Sequence, residues 1–369
     1  MRYSNDKRTV MTLDAGGTNF VFSAIKGEKE IADPVILPAH GNDLEKSLKN
    51  LIKGFKEIES KIKQKPVAIS FAFPGPAEYE QGIIDDLANL PAYRNGVAIG
   101  IMLEENFNLP VFINNDADLF AFGEALAGFL PEVNSKLEKA NCPKRYKNLF
   151  GATFGTGFGG GIIYNENIFF GDNSAQAEVN RMRNKLYPHT NAEDSVSIRG
   201  IKRVYAREAG IDIEKCPEPK TIFEIGTGKI KGDKNAALKA FEEMAVVAGN
   251  TFANTITLID GLIVIGGGLA GAHQIFLQKI VDEMNNNFIT LNNEPLPRLE
   301  IKVFNLEDKN DINNFLSGET KTIKVPFSNT KIKYDPLKRI GVGISKLGTS
   351  KAVSIGAYNF ALNKIDGFF

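Results

Sequence analysis

The chain has no tryptophan, only two cysteines and only three histidines among its 369 residues. The missing tryptophan excludes nothing. Two thiols are too few for a disulfide framework. Cys142 falls in a basic, loop-like stretch and Cys216 precedes a proline, so free structural thiols in a reducing compartment are expected. Net charge is also missing. The 44 Lys and Arg balance 44 Asp and Glu, so no global field draws the protein to nucleic acid or an anionic membrane, although a local patch stays open. No apolar run approaches the roughly 20 residues of a membrane helix. Residues 1–9 are polar and charged, without the apolar centre of a secretory signal. A cytoplasmic location is the expectation. What is present is globular: 43% hydrophobic and 24% charged residues, in a length that suits about two domains.

Along the chain, 9–13 is a short β-rich run that ends in a glycine loop, and 20–25 is apolar again, as a hairpin partner would be. Segment 43–62 has helical spacing, with Leu44, Leu48, Leu51, Ile52 and Phe55 on one face. Segments 67–73 and 110–113 read as strands, and 117–129 as a helix with Asp116 at its start. A basic, polar stretch follows at 131–147. At 148 the pattern restarts: apolar run, glycine loop at 155–161, apolar 162–164. Two copies of this unit about 140 residues apart suggest two related domains rather than a solenoid. Helices are expected at 236–258, 274–287 and 351–365, and strands at 262–265 and 340–344. Within 293–350, the polar tract 307–322 reads as a loop or small β excursion.

Glycine lets backbone N–H groups approach an anion and permits positive φ. The loop Asp14-Ala15-Gly16-Gly17-Thr18-Asn19 adds a carboxylate, suited to the Mg²⁺ of ATP through water, and a hydroxyl for a phosphate oxygen. It is neither the GxxxxGK[ST] loop nor a dinucleotide fingerprint, since no helix follows. Alone it reads equally as a tight turn. A second loop at 155–161 and Gly266-Gly267-Gly268 after an apolar run make turns alone a poor account.

Five segments taken together resemble the ROK family of sugar kinases and sugar-responsive repressors, in the actin-like ATPase superfamily. They are Leu13-Asp14-Ala15-Gly16-Gly17-Thr18; Pro74-Gly75-Pro76 with Asn89-Leu90-Pro91; Asn115-Asp116-Ala117-Asp118; the loop 155–161; and Ile265-Gly266-Gly267-Gly268-Leu269. The similarity covers about 9–130, 148–205, 261–271 and 340–362. The resemblance implies an α/β fold of two actin-like (ribonuclease H-like) domains with an interdomain cleft. The first would span 1–125, completed by the C-terminal helix 351–369. The second would span 126–350, with a variable excursion at about 293–340. It further implies that Asp14, Gly16, Gly17, Thr18 and Asn19 form the first phosphate loop, and Thr156, Gly157 and Gly159 belong to the second. Gly266, Gly267, Gly268 and Leu269 would lie near the adenosine. Asp116 would be the catalytic base, and Gly75, Asn89, Asn115, Glu178 and Glu193 would approach the sugar. ATP and Mg²⁺, with Asp14 near the metal, are the implied cofactors, and a homodimer the implied assembly.

The chemistry suits these residue types. A carboxylate in reach of a sugar hydroxyl can orient it and accept its proton, while alignment and charge neutralisation supply the rest of phosphoryl transfer. Each residue keeps a plainer reading. Asp116 is also a good helix N-cap, Glu178 and Glu193 can be solvated surface acids, and Gly75 and Asn115 can be turn residues.

One departure stands out. Where most members of the family continue with Gly-His and a zinc-binding cysteine cluster, this chain has Asn180 and Arg181, and 182–192 contains no cysteine. A structural zinc site needs about four N or S ligands, so no zinc is expected. His189 reads as a solvated loop histidine. Arg181 either donates to sugar hydroxyls or points to solvent. The expected function is therefore ATP-dependent phosphorylation of a hexose or amino-hexose. The rivals are a non-catalytic sugar-responsive regulator and a sugar-independent actin-like ATPase. The 13 residues ahead of Asp14 are too few for a helix-turn-helix domain, and a plain ATPase has no use for Asn115, Asp116, Glu178 and Glu193 together.

Overall fold

The computed structural model describes residues 3–75, 77–85 and 90–368. The chain divides into two compact α/β units: Met1–Gly128 with Gly161–Gln176 and Leu347–Phe369, and Phe129–Gly160 with Ala177–Lys346.

In the first unit, β1 (Thr9–Ala15) and β2 (Asn19–Lys26) form the expected hairpin, with Ala15 opposite Phe20. β1 pairs in parallel with β3 (Ala68–Ala72), and β3 in parallel with β4 (Val111–Asn114). Helix α1 (Leu44–Lys61) lies on one face. Its N-cap Asp43 accepts a hydrogen bond from the Lys46 amide, and Leu51 and Phe55 are buried. The core there is aromatic. Phe22 packs edge-on to Phe55 at 5.0 Å, and a Cβ at Gly54 would lie 2.1 Å from the Phe22 ring. Only a residue without a side chain lets α1 approach that close.

The opposite face of the sheet is covered by the C-terminal helix, Thr349–Ile365. Its Tyr358, Ala361 and Leu362 form one cluster with Val10, Ile25 and Ala68. That helix also packs against α2 (Asp116–Leu126). A Cβ at Gly356 would stand 2.0 Å from the Leu119 carbonyl oxygen, and one at Gly123 equally close to that of Ala352. The two backbones touch through glycine. The segment 161–176, assigned to the second domain from sequence, lies in the first unit. Gly161 sits against the Ala117 carbonyl, the Gln176 amide donates to buried Asp118 at 2.7 Å, and Phe170 meets Phe360 at 6.0 Å.

The second unit opens with α3 (Phe129–Lys139), a helix in the stretch read from sequence as basic and polar. Phe129, Val133 and Leu137 recur at four-residue spacing and are buried with Leu130. Charged residues on the other face and Pro131 in the first turn hid this stripe. The sheet runs β6-β5-β7-β9-β8: β5 (Leu149–Phe154), β6 (Phe158–Tyr164, passing into the first unit at Gly161), β7 (Leu262–Gly266), β8 (Lys302–Asn305) and β9 (Arg339–Ile344). β5, β7, β9 and β8 are mutually parallel. Long helix α4 (Lys234–Ile259) and α5 (His273–Met284) pack together, with Phe154 stacked on Phe252. Within 293–340 the structure has β8, a helix at Lys309–Ser317 inside the polar tract, and a hairpin of Lys321–Lys324 with Lys331–Tyr334. The helix was missed because Phe315 is its one buried residue. Both cysteines are free and buried. Cys142, read as part of a loop, lies against the Arg339 guanidinium, 3.4 Å away. No helix among the described residues is long and apolar enough to cross a membrane.

Candidate functional site

In each unit the candidate residues gather at the carboxyl ends of neighbouring parallel strands, where open α/β sheets bind ligands. In the first unit β1, β3 and β4 end together: Asp14 pairs with Ala72, Ala72 with Asn114, and the Phe73 amide donates to the Asn114 carbonyl at 3.0 Å. Asp14, Gly75, Asn115 and Asp116 therefore emerge from three adjacent strand ends. Asn89 lies outside the described residues, as does Pro76.

The first glycine loop is a three-residue connection, Gly16 to Thr18, closed by the Gly16 amide donating to the Asn19 carbonyl at 3.0 Å. Gly16, Gly17, Thr18 and Asn19 are exposed, as is the Asp14 side chain. Desolvation by the surrounding protein nonetheless raises the Asp14 carboxyl above its ordinary range. A cation there would relieve that penalty, so the residue suits the metal assigned to it.

Asn115, not Asp116, is the N-cap of α2: its Oδ1 accepts from the Ala117 amide at 2.8 Å. Asp116 is the first helical residue, exposed, with Oδ1 also 2.9 Å from that amide. A helix start favours negative charge. The capping role read as a plain alternative for Asp116 thus falls to its neighbour.

Tyr79 was not singled out from sequence. Its hydroxyl donates to the Phe73 carbonyl at 3.0 Å and lies 3.4 Å from Asn115 Nδ2, and a Cβ at Gly75 would sit 2.8 Å from it. It fixes the Asn115 amide so that Oδ1 faces the helix and Nδ2 faces the phenol. A lone tyrosine after a turn carries no signal of this in the sequence.

In the second unit β5 and β7 end side by side, Thr153 opposite Gly266. The second glycine loop closes through the Gly155 amide donating to the Gly157 carbonyl at 3.0 Å, and Thr156 is exposed at its tip. Gly159 lies in β6. Gly267 has φ +87°, and a Cβ there would lie 2.2 Å from the Phe154 carbonyl oxygen. Gly268 has nothing within 4 Å and is exposed, while Leu269 is buried and its amide donates to Phe154 at 3.0 Å. The tight glycine brings two strand ends together, and the next one leaves open space.

Glu193 lies against the second glycine loop. Its Oε2 accepts from the Phe158 amide at 3.1 Å, and its Oε1 meets exposed Arg199 at 3.2 Å. Glu178 precedes a short 3-10 turn and Arg181 is its last residue, and both are exposed. Beyond them, where cysteine ligands are absent, buried Asn184 holds the segment. Its Oδ1 accepts from the Leu186 and Tyr187 amides, and its Nδ2 donates to the Asn191 carbonyl and Ser195 Oγ, at 2.8 to 3.1 Å. All four of its hydrogen bonds are made. Among the described residues no group of three or more His, Cys, Asp or Glu is placed to hold a metal.

The sequence pattern of the ROK family matches residues 10–312. The crystal structure of a glucokinase from Parabacteroides distasonis is 52% identical, with TM-score 0.91, covering 98% of this chain and 99% of that one. A glucokinase from Halalkalibacterium halodurans is 24% identical over 298 residues, 74% of this chain and 84% of that protein. An N-acetyl-D-glucosamine kinase from Vibrio cholerae is 24% identical over 277 residues, 72% and 85% of the respective lengths.

Proposed function

Because the chain belongs to the ROK family, we propose that it is an ATP-dependent sugar kinase acting on a hexose or amino-hexose hydroxyl, with Asp116 as general base. The observation that carries this reading is the gathering of Asp14, Gly75, Asn115 and exposed Asp116 at three adjacent strand ends. The 52% identity to a glucokinase makes glucose the first sugar to assay, and the N-acetyl-D-glucosamine kinase makes that sugar the second.

Asp116 takes the proton as the sugar oxygen bonds to the γ-phosphorus and the bond from that phosphorus to the β,γ-bridging oxygen breaks, releasing ADP. Asn115 keeps one lone pair on Oδ1 and one N–H on Nδ2 for sugar hydroxyls. Gly75, Asn89, Glu178 and Glu193 are assigned to the same substrate. Gly16, Gly17, Thr18, Asn19, Thr156, Gly157, Gly159 and 266–269 are assigned to the nucleotide. Asp14 would hold the Mg²⁺ that accompanies ATP, and that ion would supply charge neutralisation. The protein works without structural zinc, and Arg181 shapes the choice of sugar.

A coupled ADP-release assay over a sugar panel tests the reading. ADP release with no sugar present favours the plain ATPase, and silence with every sugar favours the regulator. Asp116→Asn lowers kcat about 10²- to 10⁴-fold with the fold intact, since asparagine can still accept from Ala117. A full-rate variant refutes the mechanism. Arg181→Ala leaving relative kcat/KM unchanged across hexoses removes that residue from specificity.

A further inference from the structure

Glu193 stands between the two ligands that the proposed reaction needs. It is assigned to the sugar, yet both of its oxygens are engaged inside the second unit. Oε2 accepts from the Phe158 amide at 3.1 Å, and Oε1 pairs with Arg199 at 3.2 Å. Phe158 belongs to the glycine loop assigned to the nucleotide. The carboxylate rests closely on that loop. A Cβ at Gly157 would lie 2.7 Å from Oε2, so any other residue there would push the acid aside.

The segment that delivers Glu193 is held by its own backbone. Glu193 is the middle residue of a 3-10 turn, Ala192–Asp194. The Asp194 amide donates to Asn191 Oδ1 at 3.1 Å, and Arg203 donates to the Asp194 carbonyl at 2.6 Å. Ser197 caps the following helix, Ile198–Ala209, by accepting from the Gly200 amide. The Ile198 amide donates to the Gly155 carbonyl at 2.9 Å. The segment is therefore tied to the loop it faces, and the acid is set in place by the fold.

The donors of that loop divide into two groups. The Gly155 amide turns inward to the Gly157 carbonyl. Among the described residues the Thr156 and Gly157 amides meet no acceptor, whereas the Phe158 amide is taken by Glu193. Open backbone donors in a glycine turn receive phosphate oxygens. A fixed carboxylate beside them has the opposite effect. It occupies one donor and sets a negative charge where a polyanion must come. Arg199 offsets that charge only weakly, because its side chain is 70% exposed and water screens it.

We infer that Glu193 couples the binding of the two substrates, an inference that rests on the kinase reading above. Its carboxylate opposes nucleotide at the glycine loop until sugar hydroxyls, which are donors, draw it off. Phosphate arriving first releases the carboxylate towards the sugar. By either route each ligand raises the affinity for the other, and by the same factor. One charge-assisted hydrogen bond exchanged in this way is worth about tenfold. The arrangement weakens ATP binding when no sugar is there to receive the phosphoryl group, which limits idle hydrolysis.

Isothermal titration of the full chain with magnesium β,γ-imido-ATP tests this. Saturating glucose lowers the wild-type Kd for the nucleotide about tenfold. Glu193→Ala and Glu193→Gln lower it about as much with no sugar present, and glucose then changes it no further. Glu193→Gln can still accept from Phe158, so it keeps the loop in place. A residue that only touched sugar, or only supported the fold, would leave nucleotide binding unchanged or weaker on substitution. Nucleotide binding no tighter in either variant therefore overturns the inference. So does a wild-type Kd indifferent to both glucose and N-acetyl-D-glucosamine. A wild type that binds no nucleotide at all refutes the kinase reading itself, and the coupling with it.

Discussion

Replacing Gly267 by alanine separates backbone geometry from ligand contact when set beside the same change at Gly268. At Gly267 the left-handed φ of +87° costs a side chain about 1–3 kcal/mol. The new Cβ also stands 2.2 Å from the carbonyl oxygen and 2.6 Å from the nitrogen of Phe154. These are backbone atoms held by the β5–β7 ladder, so relief means parting the two strand ends. The Leu269 amide then loses its Phe154 acceptor, a net loss of about 1 kcal/mol. Gly267→Ala is therefore expected to destabilise by about 2–4 kcal/mol in urea melts. Gly268 meets nothing within 4 Å, so its alanine variant melts within about 0.5 kcal/mol of wild type. If ATP passes close to that strand end, Gly268→Ala raises the KM for ATP on the order of tenfold and leaves the KM for sugar unchanged. A wild-type melt for Gly267→Ala refutes the steric reasoning, and a wild-type ATP KM for Gly268→Ala refutes the nucleotide assignment.

Tyr79→Phe releases the Asn115 amide and is expected to raise the sugar KM about two- to tenfold, as one hydrogen bond predicts, with the KM for ATP unmoved in initial-rate kinetics. The Asp14 carboxyl is raised by desolvation, so it favours folding below its unfolded pKa and loses that contribution as pH rises through the folded value. Asp14→Asn therefore melts above wild type at pH 7 without nucleotide, with the gap closing toward pH 3.8 in thermal scans. Asn184→Ala removes four hydrogen bonds from a buried loop and costs about 2–4 kcal/mol, read by urea melts. Dialysis against a zinc chelator leaves the wild-type melt unchanged.

The sequence carried the strand and glycine-loop pattern because each such segment combines an apolar run with residues whose backbone freedom marks a turn. β1 with β2, α1 behind Asp43, β3, β7 and α4 all lie where periodicity put them. Two helices escaped for different reasons: α3 sets its buried stripe of Phe129, Val133 and Leu137 among charges and behind Pro131, and Lys309–Ser317 buries Phe315 alone. Contacts between distant segments were equally silent. Nothing near Asn115 announces Tyr79, 36 residues upstream. Nothing near Gln176 announces Asp118, and so 161–176 was placed in the wrong unit. Asn184 could be seen only as a polar residue where cysteines were absent, because its partners at 186, 187, 191 and 195 converge only after folding.

The glycine contact between α2 and the C-terminal helix has a consequence for biosynthesis. The sheet of the first unit is complete in sequence at Asn114, yet the helix that covers the face bearing Val10 and Ala68 begins at Thr349. At 5–20 residues per second, roughly 10–50 s separate the two on the ribosome. For that interval the second unit is emerging while an apolar sheet face stands uncovered. Gly123 and Gly356 then let the late helix seat against a neighbour already in place, and the first unit is the last to be sealed.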